Sequence, residues 1–324
     1  MKIMISGGAG FIGSHLIPKL LELGHKVVSV DNYHTGKKEN EVKGCTYYNV
    51  DIVDTKDYSF FMDRPDYVIH LAYPYGVDGM GLNDAYIDTG LIGTYNLLRW
   101  STKVGVKKLV NISSVSAYGI IENGPVTEIM EGVPFIHYGV TKKSSEDYCK
   151  IFKNTYGLDT VNLRLFYAYG ERYATFDHSA LVNFLNRVLN NENLLIYGDG
   201  LQTRSYTYVS DVVDGIVSSI NGISNGEVYN ISGGSTCTIL ELAQSVLNIT
   251  KSNVGIDFAP QDDYRFSDEW VKIPLGVTKK DELGKWVDTR NYVADNTKAL
   301  RDFGYNPKVG LEEGITKMWE WMSK

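Results

Sequence analysis

Tyr138 and Lys142 stand four residues apart in HYGVTKKSSEDYCKIF, a segment of helical periodicity, so both side chains leave one helix face. A phenol beside an ammonium is a proton-transfer pair. A free tyrosine of pKa about 10 is too protonated at neutral pH to act as a base, and lowering that value by about 3 units takes roughly 4 kcal/mol of differential stabilisation. Lys142 supplies one cation towards it. Among 23 tyrosines the bare spacing is weak, and it recurs at Tyr33 and Lys37. Context separates the two. Tyr33 lies among glycine and polar neighbours, whereas Tyr138 follows a strand ending NISSVSAYG, which delivers Ser113, Ser114 and Ser116 to the carboxyl edge of a sheet, where open α/β sheets bind ligands. Ser114 is taken as the hydroxyl that orients a reacting oxygen and shares its proton.

A second chemical feature opens the chain. Gly7, Gly10 and Gly13 in SGGAGFIG follow the first strand and begin the helix FIGSHLIPKLLELG. Glycines at this spacing let a turn tighten and a backbone approach a pyrophosphate, which the helix N-terminus meets with free N–H groups. A structural turn would explain the triplet equally well, but the second strand, KVVSV, ends in Asp31, about 20 residues on, where a carboxylate accepts both ribose hydroxyls of an adenosine. A carboxylate there repels a 2′-phosphate, so NAD is expected over NADP. Its positive nicotinamide ring is the second cation near Tyr138. Asp51, after the third strand, is placed to reach the adenine edge, although an aspartate there also serves as a helix N-cap. Phe11, Ile12, Asn32, Ile52, Leu71 and Ala72 complete the expected NAD contacts.

These groups need a scaffold. From residue 1 to about 170, short apolar runs (KIMIS, KVVSV, TYYNV, YVIHLA, KKLVNIS, TVNLRLF) alternate with helical stretches, the pattern of parallel βαβ winding. The runs are apolar throughout, as for strands covered on both faces. The expectation is an α/β protein: a doubly wound parallel Rossmann sheet over 1–170, with a returning segment at 203–232. A smaller mixed α/β substrate domain follows from 171–202 and 233–324. The charged, irregular stretch from about Gln261 to Lys285 reads as a surface loop or lid.

A length of 324 residues permits two lobes. The formal net charge of -7 offers no basic field for nucleic acid. Cys45, Cys149 and Cys237 have no metal-ligand spacing and fit a reducing compartment. No apolar run reaches about 18 residues, so the reading is a cytoplasmic protein without metal or membrane span.

Together the motifs resemble the extended short-chain dehydrogenases that modify nucleotide sugars, a family of 4-epimerases, dehydratases, decarboxylases and reductases. Besides SGGAGFIG, VDNYHTG and YGVTK, the chain carries HLA at 70–72, IGTYNLL, RLFYAYGER, YGDGLQTRSYTYVSDVVDG, YNISGG and ADNTKALRDFGYNP, in family order nearly end to end. The resemblance implies that Lys142 also binds the nicotinamide ribose, that Phe166 lies near the nicotinamide, that Tyr167 contacts substrate, and that Arg204 grips the diphosphate. Lys285 or Arg290 would supply a second cation to the phosphates. It also implies a homodimer formed through the stretches 82–104 and 138–156.

The serine segment narrows the reaction. Dehydratases of this family place Asp-Glu after the catalytic Ser or Thr, where this chain has Val115-Ser116. The decarboxylases' glutamate at the Ser116 position is absent as well. The minimal Ser114, Tyr138 and Lys142 set remains, which points to NAD-dependent epimerisation of a nucleotide-diphosphate sugar at carbon four. A dehydratase, decarboxylase or net oxidoreductase is the enzymatic alternative, and a non-catalytic NAD-binding regulator the alternative of another class. Three departures mark the pocket: Gly90 replaces a usual Asn, Tyr167 a usual Asn and Glu171 a usual Pro. His70, ending an apolar strand, reads as a packed structural histidine.

Overall fold

The computed structural model describes residues 1–61, 64–74, 84–119, 121, 124–134, 136–173, 179–222, 225–259 and 291–324, and the backbone of 278–280 and 286–288. Lys285 and Arg290, and most of the stretch 261–285, lie outside these residues.

The apolar runs become strands because their side chains are buried on both faces. β5 (Lys108–Ser114) is buried at every position, and β1 (Lys2–Ser6) and β2 (Lys26–Asp31) at every position but the first. With β3 (Thr46–Asn49), β4 (Tyr67–His70), β6 (Asp159–Leu165) and β10 (Val228–Ile231), they form one sheet in the order β10-β6-β5-β4-β1-β2-β3. All six pairings are parallel. The chain winds outwards in both directions from β1 and β4, so a crevice opens beyond the carboxyl ends of those two strands. Gly7 and Leu71 emerge there.

The helices that cover this sheet are α1 (Phe11–Glu22), α2 (Asp84–Ile87), α3 (Thr94–Val104) and α4 (His137–Tyr156). A π-helical turn, Asp88–Gly93, joins α2 to α3. Leu16, Ile17 and Leu20 of α1 pack on Ile3, Ile5 and Val110 in the main core.

The second lobe is built mainly after residue 170, from β7 (Ala168–Tyr169), α5 (Ala180–Leu189), β8 (Leu194–Tyr197), β9 (Thr203–Tyr208), β11 (Ser235–Thr238), α7 (Ile239–Thr250), β12 (Ile256–Ala259) and α9 (Leu311–Met322). β11-β9-β7 form a mixed three-stranded sheet and β12-β8 a parallel pair. Its own core joins Leu181 and Leu185 to Leu242, Val246 and Ile315. α6 (Val209–Asn221) returns to the first lobe, where Val212 and Ile216 join the main core. α8 (Thr297–Phe303) does likewise through Ala299, with Tyr305 just beyond it. A short ribbon, β13 (Thr278–Lys280) with β14 (Trp286–Asp288), completes the described strands.

His70 closes β4 against the main sheet. Its ring nitrogens meet the Ser6 and Thr94 hydroxyls at 2.8 and 2.9 Å. Burial, with a smaller contribution from the Lys142 charge, holds its pKa down at about 3. This is a neutral tie between β1, β4 and α3. As pH falls below the unfolded-state value of about 6.5, the unfolded chain takes up this proton and the native state does not, so stability is lost towards pH 3. Between pH 7 and 5 the loss from this residue should be about 2 kcal/mol. Denaturant titrations should show a shallower decline for His70→Gln; an unchanged slope would remove His70 as its source.

Candidate active site

One cavity of about 740 Å³ occupies the crevice. Gly7, Gly10, Phe11, Ile12 and Gly13 line it from the first turn; Asp31, Asn32, Asp51 and Ile52 from the ends of β2 and β3; Leu71 and Ala72 from beyond β4. Ser114, Tyr138, Lys142 and Tyr167 line its other end. Residues far apart in sequence thus share one surface.

The glycine end suits a dinucleotide on observable grounds. Gly7 has φ +81°, and a Cβ there would lie 2.5 Å from the Ala72 backbone nitrogen, so the turn excludes any side chain. α1 begins at Gly10 with no side-chain cap and no acidic residue in its first turn, which leaves its N–H groups available to an anion. Asp31, 6% exposed, accepts hydrogen bonds from the backbone N–H of Ala9 (2.9 Å) and Tyr33 (2.8 Å). Burial nevertheless pushes its pKa upward, partly offset by those two bonds. The carboxylate is therefore fixed between the glycine loop and the cavity, where a vicinal diol could satisfy it. Asn32 donates to Asp51 at 2.9 Å, coupling the two residues expected around the adenosine.

At the opposite end Lys142, 7% exposed, donates to the Ile112 carbonyl at 2.7 Å, and its Nζ lies 5.8 Å from the centre of the Tyr138 ring. Burial lowers its pKa to about 7, against a smaller raising effect from Glu146. Of the three serines, Ser113 donates to the buried Glu146 carboxylate at 2.5 Å, which Arg164 holds at 2.6 and 2.8 Å. Its hydroxyl is committed to that network. Ser114 Oγ accepts from the Ser116 N–H at 3.1 Å, and the residue lines the cavity. The competing pair is inert: the Tyr33 hydroxyl donates to Glu41 at 2.5 Å, and burial and that carboxylate raise its pKa strongly.

Two expected residues sit behind the wall. Phe166 is fully buried with Val115, Tyr118 and Val126, while its neighbours Leu165 and Tyr167 line the cavity. Arg204, 4% exposed, lies 5.6 and 5.4 Å from the ring centres of Tyr167 and Tyr292, which form the surface in front of it. Phe166 lies in the short connection between β6 and β7, within the cluster of Val115, Tyr118 and Val126, and Arg204 belongs to β9, whose residues after the first are all buried. Tyr167 adopts φ +33°, a left-handed conformation that the usual Asn tolerates better, so backbone strain falls on this part of the cavity wall. Glu171 accepts from the Tyr208 hydroxyl, and its carbonyl meets His15 Nε2 of α1 at 2.8 Å, tying the lobes together. Sequence reasoning missed Tyr73, Tyr86 and Arg172 as lining residues. Only the position of Tyr73, directly after HLA, gave any signal.

A sequence profile for the NAD dependent epimerase/dehydratase family matches residues 3–232. The chain belongs to that family. As the family's description states, NAD is the cofactor, and the crevice of this epimerase/dehydratase chain fits it. The Thermotoga maritima UDP-glucose 4-epimerase, solved with UDP-glucose, is similar with a TM-score of 0.85 and 33% identity, over 100% of this chain and 99% of that one. The Bacillus cereus UDP-glucuronic acid 4-epimerase, solved with UDP-glucuronic acid and NAD, gives 0.84 and 29% over the same shares. UDP-glucuronic acid decarboxylase 1 of Danio rerio is 31% identical over 100% of this chain and 73% of that protein. The relatives thus divide between two reactions, and the residues around Ser114 must be weighed to choose.

Proposed function

We propose that this epimerase/dehydratase family member is an NAD-dependent 4-epimerase of a nucleotide-diphosphate sugar. The observation that carries the reading is the wall beside Ser114: Val115 and Ser116 line the cavity there, and neither offers the carboxyl group that elimination or decarboxylation would use. Bound NAD supplies the oxidant that takes hydride from carbon four and gives it back. Tyr138 receives the 4-hydroxyl proton at its phenol oxygen and later returns it. Lys142, held by the Ile112 carbonyl, stabilises the phenolate and offers its remaining N–H donors to ribose hydroxyls. Ser114 orients the reacting oxygen, and Lys285 or Arg290 would hold the diphosphate while the keto sugar turns over.

Incubation of the NAD-loaded protein with a panel of nucleoside-diphosphate hexoses and hexuronates, followed by proton NMR of the anomeric signals, tests this reading. Interconversion of C4 epimers without accumulation of NADH is expected. A pentose product with release of carbon dioxide, a 4-keto-6-deoxy product, or net reduction of NAD would overturn it.

The same reading assigns a homodimer. Ile87 (42% exposed) and Tyr95 stand on α2 and α3, beside Val140, Ile151 (50%) and Tyr156 on α4. The Tyr95 and Tyr148 rings meet at 5.9 Å, joining the two helices' outward faces into one apolar surface. Sedimentation should give a dimer, and Ile151→Glu should shift it towards monomer; a monomeric wild type at micromolar concentration would exclude this interface. The three unpaired thiols accord with a cytoplasmic setting.

A further inference from the structure

We propose that Tyr73 is a positioning residue for Lys142: its ring face carries the lysine ammonium, in a space that Gly90 leaves open. This rests on the reading of Lys142 as the cation beside the catalytic phenol. Lys142 Nζ lies 3.9 Å from the centre of the Tyr73 ring, much closer than its 5.8 Å to Tyr138. A buried ammonium with one carbonyl partner has lost most of its hydration, and the negative face of an aromatic ring restores part of the loss.

The ring is fixed in that place from three sides. Its hydroxyl bonds to Thr141 Oγ1, the residue preceding Lys142. Because the Thr141 hydroxyl itself donates to the His137 and Tyr138 carbonyls, both at 3.1 Å, Tyr73 is the donor in this pair. Its proton is thereby engaged, and burial pushes its pKa up, so Tyr73 does not compete with Tyr138 as a base. Tyr86 stacks on the ring at 5.7 Å, and the Tyr138 ring meets it edge-on at 5.1 Å. The third side is Gly90. A Cβ there would stand 3.1 Å from Tyr73 Cε2 and 2.9 Å from Thr141 Cβ, so any side chain at this position would push the ring or Thr141 from where they stand. Gly90 and Tyr73, 17 residues apart in sequence, thus meet in space.

The other ionisable groups around Lys142 are Tyr138, His70 of β4, and Glu146 one turn along α4, which is paired with Arg164 of β6. None of them changes in the variants that test the proposal. In the NAD-loaded protein labelled with carbon-13 at lysine Cε, the Lys142 signal, assigned by its loss in Lys142→Met, is titrated by NMR. Tyr73→Leu should lower the midpoint by about one pH unit, a tenfold loss of proton affinity, whereas Tyr73→Phe keeps the ring and should leave it unchanged. Gly90→Ala, whose added methyl presses on the Tyr73 ring and Thr141 while leaving Lys142 and Tyr73 themselves unsubstituted, should shift it in the same direction as Tyr73→Leu.

The alkaline limb of kcat/KM should move with the midpoint. An unmoved midpoint in Tyr73→Leu, or equal shifts in Tyr73→Leu and Tyr73→Phe, would overturn the proposal and show that Tyr73 only fills space. Because the titration needs no turnover, it separates failure of this proposal from failure of the epimerase reading, which the product spectrum reports.

Discussion

In Tyr138→Phe, turnover should fall about 10²- to 10⁴-fold while NAD affinity stays within about twofold of the wild type. The substitution removes one oxygen and keeps the ring that packs against Tyr73 and Tyr86 at 5.1 and 6.2 Å, so the wall of the cavity survives. What disappears is the atom proposed to receive the substrate proton. No neighbour replaces it: Tyr73 has its proton committed to Thr141, and the Ser113 hydroxyl is bound to Glu146. Steady-state rates and NAD titration of the same preparation check both halves. Turnover near the wild-type rate would remove Tyr138 from proton transfer, and loss of NAD binding would make its role structural.

The second large effect lies at the other end of the cavity. Asp31→Ala should weaken NAD binding about a hundredfold, because it removes a carboxylate whose charge-assisted hydrogen bonds are each worth roughly 1.5–3 kcal/mol. Two consequences add. The ribose hydroxyls lose their acceptor, and the Ala9 and Tyr33 N–H groups lose the anchor that holds the glycine loop. The preference for NAD over NADP should shrink by at least about tenfold, since the like charge that opposes a 2′-phosphate is gone. Fluorescence or calorimetric titration with both dinucleotides reads this. Unchanged NAD affinity would mean that Asp31 serves only the loop.

Much of this site was legible in sequence because its signals are local. The glycine turn, the aspartate ending β2 and the Tyr138/Lys142 pair each occupy a short segment whose period or punctuation fixes its geometry, and the parallel winding then brings them to one edge. The relation of Tyr73 to Gly90 and Thr141 was not legible, since three elements meet there and nothing in any one of them reports the others. Motif resemblance places Phe166 near the nicotinamide and Arg204 on the diphosphate; both side chains are buried beside the cavity, Arg204 under the Tyr167 and Tyr292 rings and Phe166 against Val115, Tyr118 and Val126. Motif identity locates a residue along the chain; which layer of the wall it occupies depends on packing by neighbours from other elements. Tyr167 illustrates the same limit, because its left-handed backbone, φ +33°, is not announced by its residue type.

The central claim, that one phenol and one bound dinucleotide interconvert two faces of a sugar carbon, is tested most directly with a nucleotide sugar carrying deuterium at carbon four, turned over in ordinary water. The label should be retained at carbon four of the epimer, because the hydrogen never leaves the closed site for solvent. Loss of the label to solvent, or a product in which carbon four has not changed configuration while the sugar has lost carbon dioxide or water, would contradict it.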